Sequence, residues 1–250
     1  MVTRAFNLLG LQLGENLQPA AKSNKMGFWE HRLFQFLNME LLRMFKINTD
    51  GYGPYAKLLS LQHHLKDFQM PQSFEAKLFN QLGQTFPYTC WGWKDPRTVL
   101  VFLYWRSFFA RHGFDDVRPI VVFRHPTACV QSLLRRGDIQ RVARGLGIPN
   151  VENFALSLWA AYNQILLATV PDGLYLRQED LLNPGLQRQE VHRMSVYISA
   201  DRAKEPAVLE WINPKMDHRE EGTRPLPKRL LQIHEKLLQK TSEQQLQFAT

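Results

Sequence analysis

Apolar positions recur at helical intervals through most of this chain and gather into continuous runs in only a few places. Val2, Phe6 and Leu9 fall on one face with Ala5 and Leu13 beside them, which predicts a helix over 2–9. A stretch rich in Gly, Asn and Pro follows over 14–27. Leu33, Phe34, Leu37, Leu41 and Leu42 then line one side of a helix within 28–45, and a turn cluster closes it at 48–54. Pro71-Gln72-Ser73 opens another helix running through Phe79 and Leu82, and residues 98–112 read as a further one.

Three segments break the helical period. Residues 88–93, Tyr-Thr-Cys-Trp-Gly-Trp, are short, aromatic and β-prone. Pro119-Ile-Val-Val-Phe123 is a continuous apolar run without alternation, the pattern of a strand covered on both faces of a parallel sheet. Gly173-Leu-Tyr-Leu-Arg177 reads as the next strand. Between the last two lie a helix opening at His125-Pro126, where Pro suits the first helical position, and an amphipathic helix over 153–169. Strands separated by helices imply an α/β fold with a parallel sheet. Residues 179–184 read as a turn. Beyond about 187 the chain turns polar, with an interrupted stretch and one last helix over 227–247. The expectation is a single domain over 1–250 in which 187–250 form a helical C-terminal extension.

Composition narrows this picture in a few respects. The longest apolar stretch, 98–105, is too short to cross a bilayer, and residues 1–14 carry no small-residue cleavage site of a secretory leader. The two cysteines, Cys90 and Cys129, sit in apolar segments and read as buried free thiols of a cytoplasmic protein. No histidine spacing points to a metal site. The formal net charge of +8 suits a polyanionic partner. Its local clusters are Arg135-Arg136 with Arg141 and Arg144, and Arg224 with Lys228-Arg229. No helix-turn-helix, zinc or RNA-recognition signature accompanies them, so no nucleic-acid partner is expected.

The candidate chemistry lies at expected strand ends. Arg124 follows the apolar run 119–123, and Ser132 stands about two turns into the next helix. A guanidinium, a hydroxyl and the positive end of a helix can converge there on one anion. Equally, Arg124 can pair with a carboxylate such as Asp95 or Glu179 and leave Ser132 an ordinary helix residue. Lys94-Asp95-Pro96-Arg97 occupies the same position after the aromatic segment: Lys94 can hold a phosphate and Asp95 accept a proton, or the four can form a turn closed by an Asp–Arg pair. Glu179-Asp180, after the third segment, read as helix-capping acids.

Four segments in order resemble bacterial sulfotransferases that use 3′-phosphoadenylyl sulfate (PAPS): Leu8-Leu-Gly-Leu-Gln-Leu-Gly14 with Gly27-Phe-Trp-Glu30; Lys94-Asp-Pro-Arg97; Phe123-Arg-His-Pro126 with Ser132; and Arg177-Gln-Glu-Asp-Leu-Leu-Asn-Pro184. The resemblance spans about 1–184. It implies a P-loop-like three-layer sandwich around a central parallel sheet. Arg124 and Ser132 would hold the 3′-phosphate of PAPS, Lys94 would lie near the phosphosulfate, and Asp95 is the nearest candidate base. The transfer needs no metal. Its acceptor, a small molecule, carbohydrate or lipid bearing a hydroxyl or amine, stays unspecified; the aromatic segments 51–55 and 86–93 can line its pocket or simply belong to the core. Two departures stand out. The strand and Gly/Ser/Thr loop that cradle the 5′-phosphosulfate in the family are not seen, so the chain is expected to be N-terminally truncated or an inactive relative. Gln178 also stands where the family has Tyr beside the adenine.

Overall fold

The structure is a computed structural model that describes residues 1–21, 24, 26–212 and 225–247. The cluster partner Arg224 lies outside the described residues. In chain order, helix α1 (Val2–Leu8) leads to α2 (Arg32–Met44), α3 (Tyr55–Leu65), α4 (Gln72–Thr85) and α5 (Thr98–Arg111). Then come strand β1 (Ile120–Phe123), α6 (Pro126–Arg136), α7 (Asp138–Gly145), α8 (Val151–Thr169), strand β2 (Leu174–Arg177) and α9 (Gln178–Leu182). The last elements are α10 (Gln187–Tyr197), α11 (Glu205–Trp211) and α12 (Lys228–Gln247). Helices and a two-stranded parallel sheet make this an α/β protein, mostly helical. The chain divides into two compact units, one of residues 10–117 and one of residues 1–9 with 118–250.

Unit 10–117 is helical around an aromatic core. Phe34, Leu37, Leu41 and Leu42 bury the apolar face of α2 predicted from their spacing. Each such fully buried side chain contributes about 1.5–3 kcal/mol. Phe34 stacks on Trp93 at 4.0 Å and Phe86 on Trp91 at 4.5 Å, so the aromatic segment 86–93 belongs to this core. Its expected strand does not form. Residue 91 makes a single bridge to Gln12, and the segment's rings fill space instead of building a ladder. Cys90, expected buried, is exposed there. Helix α3 was not expected. Its anchors Leu58, Leu61 and Leu65 hold the i, i+3, i+7 spacing, but they are interleaved with polar and apolar neighbours that blunt the periodicity.

The other unit carries the sheet. β1 and β2 pair in parallel, with Ile120 opposite Leu174 and Phe123 opposite Arg177. The expectation that β1 is covered on both faces fails: Val121 and Phe123 are buried, while Val122 is 41% exposed. One face of this strand meets the core and the other meets water. The free edge of β2 is closed by side chains instead of a third strand. Gln244 of α12 accepts the Tyr175 N–H at 2.9 Å and donates to the Gly173 carbonyl at 2.8 Å, and Arg193 of α10 donates to the Tyr175 carbonyl at 3.0 Å. These bonds satisfy backbone groups that an open edge would leave for another chain. The short helix α9 (Gln178–Leu182) takes up most of the stretch 179–184 that was expected to be a turn, and α10 falls in the stretch read as interrupted.

Candidate functional site

β1 ends at Phe123 and β2 at Arg177, register partners, so Arg124 and Gln178 leave the sheet side by side at its carboxyl edge. In parallel α/β sheets this edge is where ligands gather. His125 caps α6: its Nδ1 accepts the Thr127 N–H at 3.3 Å, and Pro126 takes the first helical position as the sequence predicts. Two further bonds fix the backbone between strand and helix. The Trp159 indole donates to the Arg124 carbonyl at 3.2 Å, and the His125 N–H donates to Glu179 Oε1 at 3.0 Å.

Glu179 is therefore occupied. Besides the His125 amide it meets Arg177, whose Nε lies 3.5 Å from its Oε2, while the Arg177 Nη1 lies 3.5 Å from Asp180 Oδ1. Asp95, the other acid proposed for Arg124, is held by Arg97 at 2.8 Å. The half-buried Arg124 guanidinium has no ion-pair or hydrogen-bond partner among the described residues, nor does the Ser132 hydroxyl on the second turn of α6. This places a cation without an acid partner among the described residues at the carboxyl edge of a parallel sheet, beside the N-terminus of an eleven-residue helix, an arrangement that favours negative charge. Gln178, half-buried on the first turn of α9, adds an amide at the same edge.

Lys94 and Asp95 belong to the unit of residues 10–117. Lys94 does not end a strand; it forms an ion pair with Glu30, which is buried. Asp95 is the hub of a buried network. Its carboxylate accepts from the Arg97 backbone N–H at 2.9 Å, the Arg97 Nε at 2.8 Å and the Asn38 amide at 3.1 Å. Asn38 in turn accepts from the Trp105 indole at 2.8 Å and donates to Thr98 Oγ1 at 3.0 Å. The turn closed by an Asp–Arg pair is thus the arrangement that the structure adopts for 94–97.

One participant escaped the sequence reading. His234 of α12 is buried against His125, Phe123 and Trp159. Burial above all, with the nearness of His125 and the Arg177 charge adding to it and Glu179 opposing, pushes its pKa down to about 4. His125 is also lowered, chiefly by burial, with Glu179 opposing. Both rings are held neutral, so they add no positive charge to the edge. Burial raises Asp180 above the usual carboxylate range despite Arg177. No signal in the sequence links position 234 to position 125, because only the packing of α12 brings them together.

Among the described residues, no group of three or more His, Cys, Asp or Glu is placed to hold a metal ion. None of their helices is long and apolar enough to cross a membrane. No known protein family, curated protein or solved structure matches the chain.

Proposed function

We propose that this chain is a P-loop-like sulfotransferase that binds PAPS through Arg124 and Ser132 and moves its sulfonyl group to a hydroxyl or amine of a small-molecule, carbohydrate or lipid acceptor. The observation that carries the reading is the unpaired Arg124 guanidinium at the carboxyl edge of the sheet. Both acids that would make it a structural ion pair are engaged elsewhere. A phosphate monoester such as the 3′-phosphate offers Arg124 a bidentate partner and Ser132 an acceptor, with the α6 dipole aligned to a negative charge. Gln178, level with Arg124, can meet the adenine with both a donor and an acceptor.

The reaction joins the acceptor oxygen or nitrogen to sulfur and breaks the bond from sulfur to the 5′-phosphate oxygen. Adenosine 3′,5′-bisphosphate leaves with the electron pair, and the acceptor loses its proton to a base. Asp95 serves to hold Arg97 and Asn38. A second reading is favoured by the Lys94–Glu30 pair itself: the chain binds the nucleotide and transfers nothing.

Thermal unfolding with adenosine 3′,5′-bisphosphate tests the site. The expected result is a rise in Tm that adenosine 5′-monophosphate does not reproduce and that Arg124→Ala abolishes. No rise, or an equal rise in the variant, sinks the assignment. Formation of the bisphosphate from PAPS in the presence of acceptors then separates the two readings: binding without turnover leaves the second.

A further inference from the structure

The two outer edges of the sheet are finished differently. In a parallel ladder, alternate residues of a strand aim their backbone groups at one neighbour, and the residues between aim theirs the other way. The Pro119 carbonyl accepts the Leu174 N–H, so Pro119, Val121 and Phe123 face β2. In β2 the same alternation turns Gly173 and Tyr175 outward, and these are the residues that Gln244 and Arg193 close off. The outward residues of β1 are Ile120 and Val122. No described residue bonds to their backbone on that side.

Ile120 and Val122 together offer two N–H and two carbonyl groups to a further strand. Val122 is 41% exposed, and residues 120–123 carry neither the charge nor the proline that commonly keeps an edge from pairing. Arg124 stands at the next alternate position, just past the end of β1, and its guanidinium has no acid among the described residues. A strand laid along this edge would bring one side chain beside Val122 and, two residues on, another beside Arg124. The first neighbour is apolar and the second is a cation.

We infer that the free edge of β1 takes up an extended acidic peptide as a third strand, with its backbone on Ile120 and Val122 and a carboxylate on Arg124. Backbone pairing supplies the affinity of such strand addition, and alternate side chains supply its selectivity. Opposite charges across a strand pair are favourable and like charges are not, so a chain of net charge +8 suits an acidic partner here better than a second copy of itself. The inference needs no nucleotide and shares only Arg124 with the PAPS reading.

The test follows the fluorescence anisotropy of the peptide fluorescein-Thr-Ser-Val-Thr-Glu-Ser-Thr-amide on titration with the full chain. Saturable binding is expected, at least tenfold tighter than that of the same peptide with Lys in place of Glu. N-methylation of alternate amides should abolish binding when the methylated set faces β1 and spare it when the set faces away, so the two sets must differ. Val122→Pro removes an N–H that β2 does not use; it should leave the fold standing and weaken the peptide at least tenfold. Arg124→Glu should reverse the preference between the Glu and Lys peptides. Should Val122→Pro fail to fold, the N-methylated peptides decide, because they leave the protein untouched. Absence of saturable binding, equal binding of the Lys peptide, or equal effects of the two methylated sets overturns the inference. A dimer in sedimentation that Val122→Pro splits also overturns it, by giving the edge to a second copy. Peptide binding without any response to adenosine 3′,5′-bisphosphate counts against the PAPS reading alone, and a nucleotide response without peptide binding counts against this inference alone.

Discussion

The rings of His125 and His234 meet at right angles, with centroids 5.0 Å apart, at the carboxyl edge of the sheet. One caps α6 and the other anchors α12, so the pair ties the last helix to the turn that presents Arg124. Neither ring can take up a proton without placing a charge in a poorly solvated space that already holds Arg177.

Acid should therefore loosen this corner. The folded pKa of His234, about 4, lies below the ordinary value of 6.5 expected in the unfolded chain. As pH falls the unfolded chain takes up the proton first. The stabilisation is complete above the unfolded value and is lost progressively from about pH 6.5 down to about 4, amounting to about 3 kcal/mol at most. Urea denaturation at pH 7 and pH 4.5 should show a drop for the native chain that is clearly smaller in His234→Leu. The buried Asp180 works in the opposite sense, because its raised pKa favours the folded state in acid, but it does so in both proteins. Equal drops would refute the role of His234.

The two residues of the Lys94-Asp95 pair should separate on substitution. The Lys94 side chain is 40% exposed but its partner Glu30 is buried; after Lys94→Ala that acid keeps the Gln35 amide as a donor, so the change should cost about 1–3 kcal/mol. The Asp95 side chain is fully enclosed against Arg97. Asp95→Asn strands that guanidinium and strains the Asn38–Trp105 network, for a cost of about 3–5 kcal/mol. Denaturation curves of the two variants check this; similar midpoints would mean that the network carries little.

What the sequence revealed and what it hid follow from the range of the interactions. The start of α6 was legible because His125, Pro126 and the apolar run before them are neighbours in the chain. The burial of Phe34, Leu37 and Leu41 was legible from their spacing. The segment 88–93 was misread because Trp and Tyr favour strands and aromatic cores alike, and only the partners Phe34 and Phe86 decide between them. Whether Arg124 had an acid could not be read at all. That depended on Arg177 taking Glu179, a choice made by side-chain placement between two strand ends. Helix α10 stayed hidden for a related reason: two of its buried residues, Glu190 and Arg193, are charged, so the apolar stripe of its inner face shrinks to Val191 and Met194.

That charged face leads to a further prediction. Arg193 and Glu190 are both wholly buried and joined at 2.6 Å, and Arg193 also holds the Tyr175 carbonyl and Gln244 at the open edge of β2. Arg193→Met leaves Glu190 with a hydrogen bond from Gln245 at 2.8 Å but no counter-charge, and should cost about 3–5 kcal/mol. The double variant Arg193→Met with Glu190→Met removes both charges and should recover much of the loss. A double variant as unstable as Arg193→Met alone would show that the bonds to the β2 edge, and not the charge, are what matters.

Where β2 begins, the backbone itself is the constraint. A Cβ on Gly173 would stand 2.6 Å from Val170 Cγ1 and 3.0 Å from the Pro119 carbonyl oxygen. That carbonyl accepts the Leu174 N–H at 2.9 Å, the bond that starts the pairing of the two strands. Gly173→Ala must therefore push β2 away from the residue preceding β1, and should cost about 1–3 kcal/mol through overpacking. Adding Val170→Ala relieves the side-chain clash but not the one with the carbonyl, so recovery should be partial. Gly83, on the exposed side of α4, meets nothing within 4 Å, and Gly83→Ala should instead stabilise the protein by about 0.5–1 kcal/mol. Denaturation midpoints that move in opposite directions for the two glycines are the expected result. A neutral Gly173→Ala would mean that the strand start yields, and that the Pro119–Leu174 bond does not fix the register on which the placement of Arg124 beside Gln178 depends.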